Sequence, residues 1–230
     1  MEDSPLSRRR LLWGAAGAAG TALAVVGLPR LTGPGEQQKA APANPPRQTP
    51  VPAGPSTGLR RDSSVDYAPA VWTDASPSNY TPSNRPEETP IEYVVIHLTT
   101  DFLPIMLATF QDPEERVSAH YVISATGTRI AQCVRERDVA WHSNSVWYNH
   151  RSIGIEHEGW IDQPLYADEM YETSAVLTAT ICAKYGVPVD RNHILGHVEI
   201  PESTHEDPGP MWNWDKYMKL VETAHRRIRT

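Results

Sequence analysis

Thirteen of the chain's 21 prolines fall between Pro29 and Pro90, and all nine histidines lie beyond them, from His97 to His225. Proline donates no backbone hydrogen bond and fixes its own φ, so a stretch this dense in it does not build sheets or long helices. Residues 29–63 add Gly, Ala and Gln and offer little apolar surface, so they read as a disordered tether. The packed domain must therefore lie in residues 64–230, and a stretch of about 140–165 residues is ample for one hydrophobic core. The aromatics Tyr67 and Trp72 mark a loop-rich lead-in, up to Pro90, that packs on that domain.

Ahead of the tether, Ser7-Arg-Arg-Arg-Leu-Leu12 precedes an apolar run from Leu11 to Leu28. A charged segment before a modest apolar stretch is the layout of an export signal, and the paired arginines resemble a bacterial twin-arginine signal over residues 1–28. The alternative is a retained anchor, but Gly14, Gly17, Gly20 and Gly27 make the run weakly hydrophobic for a permanent membrane span. Cleavage after Ala24 or Ala43 would leave a mature protein that is extracellular or associated with the cell wall. The formal net charge of −7 argues against a nucleic-acid partner, which would call for a basic face. Two cysteines, Cys133 and Cys182, exclude a disulfide scaffold; with apolar neighbours, they are expected to be buried free thiols.

Within the domain, Ile91–His97 is a nearly continuous β-rich run and predicts a buried central strand ending at a histidine. Pro104–Phe110 predicts a short helix with Asp101 as its cap. Ala119–Ser124 and Arg129–Val134, separated by a glycine turn, predict a hairpin. Ser152–Glu156 reads as another strand and Ile194-Leu195 as a short one. Met170, Ser174, Leu177, Ile181 and Tyr185, three and four apart, predict an amphipathic helix over Asp168–Tyr185, closed by Gly186 and Pro188. Asp215 to about Ile228 predicts a last helix. Interleaved strands and helices imply an α/β fold, a single domain with a central mixed sheet flanked by helices.

The chemistry concentrates in Gly196-His197-Val-Glu-Ile-Pro201 and Thr204-His205-Glu206-Asp207-Pro208-Gly209-Pro210. A loop with two histidines and several carboxylates, stiffened by prolines, can present metal ligands rigidly. With Val94-Val-Ile-His97, Val117-Ser-Ala-His-Tyr121, Ala140-Trp-His142 and Ser152-Ile-Gly-Ile-Glu156-His-Glu-Gly159, the segments stand in an order that resembles the type 2 zinc-dependent N-acetylmuramoyl-L-alanine amidases. That family is related to phage lysozyme-type amidases and peptidoglycan recognition proteins. The match runs from roughly Asp66 to Leu220.

The resemblance implies one zinc ion on His97, His197 and Asp207, with a position left for water, as in catalytic sites. It implies Glu156 as the group that takes a proton from water and passes it to the leaving amine. Glu158 shares that strand face by parity, so alternation alone leaves both glutamates open. His205 stands where several family members carry a lysine thought to stabilise the oxyanion; a histidine can donate the same hydrogen bond. The substrate would be peptidoglycan or a muropeptide, cut between the lactyl group of N-acetylmuramic acid and L-alanine by a monomer. Trp141, His142 and Asn149 are candidates for lining the substrate groove. His120 reads as packing or a hydrogen-bond partner behind the ligands, and His193, His150, His157 and His225 as structural or exposed. A non-catalytic peptidoglycan-binding protein and an amidase of small recycled muropeptides are the competing readings.

Overall fold

The run after Pro90 forms the strand that organises the domain. Its residues alternate between two buried layers, which is why the segment is apolar on both faces. The computed structural model describes residues 65–163, 166–201 and 203–230; the export signal of residues 1–28 and the tether of residues 29–63 lie outside the described residues. In chain order the elements are β1 (Val71–Trp72), β2 (Tyr80–Thr81), β3 (Tyr93–Leu98), α1 (Leu103–Gln111), β4 (Tyr121–Ile123), β5 (Ile130–Gln132), β6 (Val139–Ala140), α2 (Val146–Arg151), β7 (Ser152–His157), α3 (Asp168–Tyr185), β8 (Ile194–Gly196) and α4 (Trp214–Ile228).

Six strands form a sheet in the order β1-β5-β4-β7-β3-β8. Only the β4–β5 hairpin is antiparallel, so the sheet is mixed, as the pattern predicts. A separate pair joins β2 to β6. On one face of the sheet, Val94, Ile96 and Leu98 of β3 and Ile153 and Ile155 of β7 pack with Met170, Leu177 and Ile181 of α3 and with Tyr217 and Val221 of α4. Each such buried side chain contributes about 1.5–3 kcal/mol of transfer free energy. On the other face, Leu103, Leu107 and Phe110 of α1 cover Val122, Ala131 and Cys133, while Tyr93 and Val95 meet Leu195, Ile200 and Tyr148.

The long helix α3 closes at Gly186, whose φ of 72° is the left-handed cap expected there. Cys133 and Cys182 are both buried and free. They belong to clusters on opposite faces of the sheet, which keeps them from meeting. The cap of α1 differs from expectation. Phe102, not Asp101, is its N-cap residue, and no side chain of its own caps it. Glu158 instead reaches across from the end of β7 and accepts a hydrogen bond from the Leu103 N–H at 3.1 Å. Among the described residues, no helix is long and apolar enough to cross a membrane.

The lead-in is an integral part of the packing. Ala70 and Ala75 are buried, and so is Arg85, at 2% exposure. The Arg85 guanidinium donates to the carbonyls of Asn149, His150 and Ser152 through one nitrogen, and to those of Glu136 and Asp138 through the other. Nothing in its sequence neighbourhood signals this role.

Candidate metal centre and active site

Parallel strands present ligands at their C-terminal ends, where the connecting loops diverge. In the β3–β7 pair, His97 lies directly opposite Glu156. One sheet face therefore carries an imidazole and a carboxylate side by side, each fixed by a strand. β8 flanks β3 on its other side and delivers His197 in the short 3-10 turn His197–Glu199 that follows it. The Val198 N–H donates to the Asp207 carbonyl at 2.9 Å, which draws the next loop over that turn. Gly196 permits this closure: a Cβ there would stand 2.7 Å from the Pro208 ring. The Gly-His and Asp-Pro motifs are thus two halves of one contact.

The result is a buried cluster of His97, His197 and Asp207, whose candidate ligand atoms all lie within 4.8 Å of one another. His97 Nδ1 is 3.2 Å from Asp207 Oδ2, and His197 Nδ1 is 3.1 Å from Asp207 Oδ1. Zinc–ligand bonds of about 2.0 Å in a tetrahedron separate neighbouring ligand atoms by about 3.3 Å, so these spacings fit one small divalent ion. The chemistry of the set fits as well, being two nitrogens and one carboxylate oxygen with room for a fourth ligand. Burial, only partly offset by the neighbouring Asp207 carboxylate, lowers the His97 pKa to about 4, which keeps its ring neutral. Burial by itself would raise the Asp207 carboxyl, but the two imidazoles beside it overcome that and hold the carboxyl well below the usual range.

Glu156 Oε2 is buried and has no hydrogen-bond partner. Burial, and then the nearby Asp207 charge, push this carboxyl well above its ordinary pKa. Glu158 differs: its two oxygens accept from the backbone N–H groups of Leu103 and Ala125, at 3.1 and 2.8 Å. The strand ends at His157, and beyond it the alternation that made the two glutamates equivalent no longer applies.

His205 stacks on His197 with ring centroids 4.2 Å apart and lies 3.8 Å from Asp207. Its Nε2 stands 2.9 Å from the Asn144 amide nitrogen. Burial, followed by the His197 charge, lowers its pKa. Asn144 is a site neighbour that sequence reasoning missed; its only local signal is the Ser143-Asn-Ser145 loop composition.

The structure places the three groove candidates differently. His142 is buried behind His97, its Nδ1 2.9 Å from His97 Nε2 and its Nε2 3.0 Å from Ser152 Oγ. Asn149 is also buried, and its Oδ1 accepts from the His142 N–H, the Ser143 N–H and the Ser143 hydroxyl. Both side chains are buried in the wall behind the site. Trp141 is half-buried; its indole N–H donates to Thr81 Oγ1 at 2.9 Å and Arg116 lies over its ring. His120 is buried one ring further back, with its Nδ1 accepting from the Gly154 N–H. His157 donates from Nδ1 to the His97 carbonyl at 2.9 Å and so anchors the backbone of that residue. His193 pairs with Asp190 and stacks on Tyr93, away from the cluster.

A family model described as N-acetylmuramoyl-L-alanine amidase matches residues 87–210. The chain is 33% identical over 176 residues to N-acetylmuramoyl-L-alanine amidase A of Achromobacter lyticus, a match covering 68% of this chain and 96% of that protein. It is 36% identical over 121 residues to the 1,6-anhydro-N-acetylmuramyl-L-alanine amidase AmpD of Salmonella typhimurium, covering 50% of this chain and 63% of AmpD. Among solved structures, a crystal structure of AmpD superimposes with a TM-score of 0.57 at 29% identity, over 67% of this chain and 96% of that one. The Escherichia coli amidase AmiD, solved with anhydro-N-acetylmuramic acid-L-Ala-D-gamma-Glu-L-Lys, gives a TM-score of 0.51 at 28% identity, over 56% of this chain and 57% of that one.

Proposed function

The chain belongs to the N-acetylmuramoyl-L-alanine amidase family, and on that premise we propose that His97, His197 and Asp207 hold one zinc ion and that Glu156 moves the proton during hydrolysis. The protein is an amidase acting on peptidoglycan, and the bond hydrolysed joins N-acetylmuramic acid to L-alanine. The observation that carries the residue assignment is the meeting of three buried donors beside a buried carboxylate oxygen without a partner.

A zinc ion held by these three residues would supply Lewis acidity toward a carbonyl oxygen and a water. Glu156 Oε2 accepts the water's proton and returns it to the departing amine nitrogen. A carboxyl whose proton affinity is raised by burial suits a group that must first take a proton and then release it. His205, beside His197 and partly exposed, is the proposed hydrogen-bond donor to the oxygen that becomes negative. Donation from its Nε2 requires the Asn144 amide to turn aside.

The deciding experiment follows stem peptide released from purified sacculi by mass spectrometry, before and after metal stripping, with Glu156→Gln in parallel. Loss of product on stripping, its return with zinc, and an inactive variant are expected. Full activity in either the stripped protein or the variant sinks the assignment. The likeness to AmpD favours a second substrate reading, small anhydromuropeptides, and comparing rates on those and on sacculi decides between them. We also propose export through the Arg8-Arg9 leader and cell-wall residence of the mature monomer. Fractionation of cells making the Arg8→Lys, Arg9→Lys variant tests this, and unchanged export removes it.

A further inference from the structure

Tyr148, Ser152, His142 and His97 form a chain behind the metal centre whose proton positions can be worked out one by one. Ser152 Oγ lies 2.6 Å from the Tyr148 carbonyl, which only accepts, so the hydroxyl proton points there. Ser152 Oγ is therefore the acceptor in its 3.0 Å contact with His142 Nε2, and His142 carries its proton on Nε2. A neutral imidazole protonated on Nε2 has a lone pair on Nδ1. That lone pair sits 2.9 Å from His97 Nε2, so His97 must be the donor and must carry its proton on Nε2. The His97 nitrogen left bare is Nδ1, the atom that faces Asp207 Oδ2 at 3.2 Å. Two acceptors that close, with no proton between them, call for a cation.

We propose that His142, held by Ser152, is a positioning residue that fixes His97 in the tautomer able to bind metal. The proposal rests on His97 being a zinc ligand. Strand β7 is built around this arrangement. Its alternate residues Ser152, Gly154 and Glu156 share one face. Ser152 holds the far nitrogen of the His142 ring, Gly154 leaves space for the ring to lie flat, and Glu156 stands beside His97. A Cβ at Gly154 would come 2.5 Å from His142 Cγ and 2.8 Å from Nδ1. Glycine at this position therefore keeps the ring within reach of His97. Partners that orient a metal-binding histidine by its second nitrogen govern affinity by about 10–100-fold.

The test measures zinc affinity of the full chain by competition with a chromophoric chelator, in variants chosen by shape. His142→Leu keeps the branching but offers no acceptor, and a loss of about 10–100-fold is expected. His142→Asn restores an acceptor near the Nδ1 position and recovers most of that loss. Ser152→Ala frees the His142 proton to move to Nδ1, and Gly154→Ala displaces the ring; both weaken binding with every hydrogen-bonding atom of His142 retained. Nitrogen-15 imidazole spectra of the metal-free protein are expected to show His97 protonated on Nε2. His97→Ala is the control on the premise: if it binds zinc as the parent does, the ligand assignment fails. If His97→Ala loses zinc while His142→Leu, Ser152→Ala and Gly154→Ala bind normally, or if His142→Asn is no better than His142→Leu, the positioning role is overturned. Circular dichroism of the zinc-free variants separates unfolding from loss of affinity, and Ser152→Ala, the smallest change, keeps the question open to measurement if the others do not fold.

Discussion

Replacing Arg85 by lysine keeps the charge and removes the fork. The guanidinium serves five carbonyls, and three of them belong to Asn149, His150 and Ser152 around the end of α2. Helix α2 runs straight into β7 with no loop between them, so its last carbonyls have no turn of their own to satisfy them. Arg85 fills that role from a segment about sixty residues earlier. The Asp138 carbonyl also accepts from His120 Nε2, so four carbonyls depend on Arg85 alone, and the three donors of a lysine ammonium leave at least one of them without a partner. At about 1–3 kcal/mol for each buried unsatisfied group, the expected loss is at least about 1–3 kcal/mol. For a domain of this size that lowers the melting temperature by at least about 2–12 °C. Urea denaturation should show the midpoint falling with the slope unchanged. A loss below about 0.5 kcal/mol would refute the idea that the fork geometry, rather than the charge, is what the fold needs.

Glu156→Gln should lower kcat by about 100-fold to 10,000-fold while zinc content stays at one ion per chain, which mass spectrometry of the native protein reads directly. Stripping the metal should lower stability by about 2.7 kcal/mol relative to protein at a zinc concentration one hundred times its dissociation constant, and zinc should restore it. Glu158→Ala removes two half-buried backbone hydrogen bonds and should cost about 1–3 kcal/mol of stability. Its kcat, measured well below the melting point, should stay within twofold or so of the parent; a loss as large as that of Glu156→Gln would exchange the roles given to the two glutamates.

Most of the regular structure was legible because it rests on local periodicity. The apolar run ending at His97, the three-and-four spacing of α3 and the glycine turn of the hairpin are each encoded within a few residues of where they act. The motifs that signal the metal centre are short for the same reason. Arg85 was not legible, since its carbonyl partners stand 51 to 67 residues away and a carbonyl has no sequence identity. The α1 cap failed in a similar way. Asp101 has the right residue type, but the loop after β7 brings Glu158 closer to the orphan N–H. The Asn144–His205 contact, 61 residues apart, is another meeting of two loops with no local signal.

His142 and Asn149 show why residues in loops and short helices mislead where strand residues do not. His142 and Asn149 suit a groove lining by side-chain type, but no periodicity says which way the loop residue His142 points or which face the six-residue helix α2 gives Asn149. Their neighbours settle it: Asn149 Oδ1 gathers the amides of His142 and Ser143, and this fold of the loop turns the His142 ring inward over Gly154. Glu156 and Glu158 make the complementary case. Parity treats them alike, yet only Glu156 lies within the parallel register, opposite His97. Glu158 falls one residue past the last strand residue, where the chain has begun to turn and backbone amides of two other segments claim both its oxygens. A carboxylate with both oxygens bonded to amides is a poor proton carrier, and one with a bare buried oxygen beside a metal cluster is a good one. The choice between them is therefore set by where β7 ends, a feature that side-chain alternation does not contain.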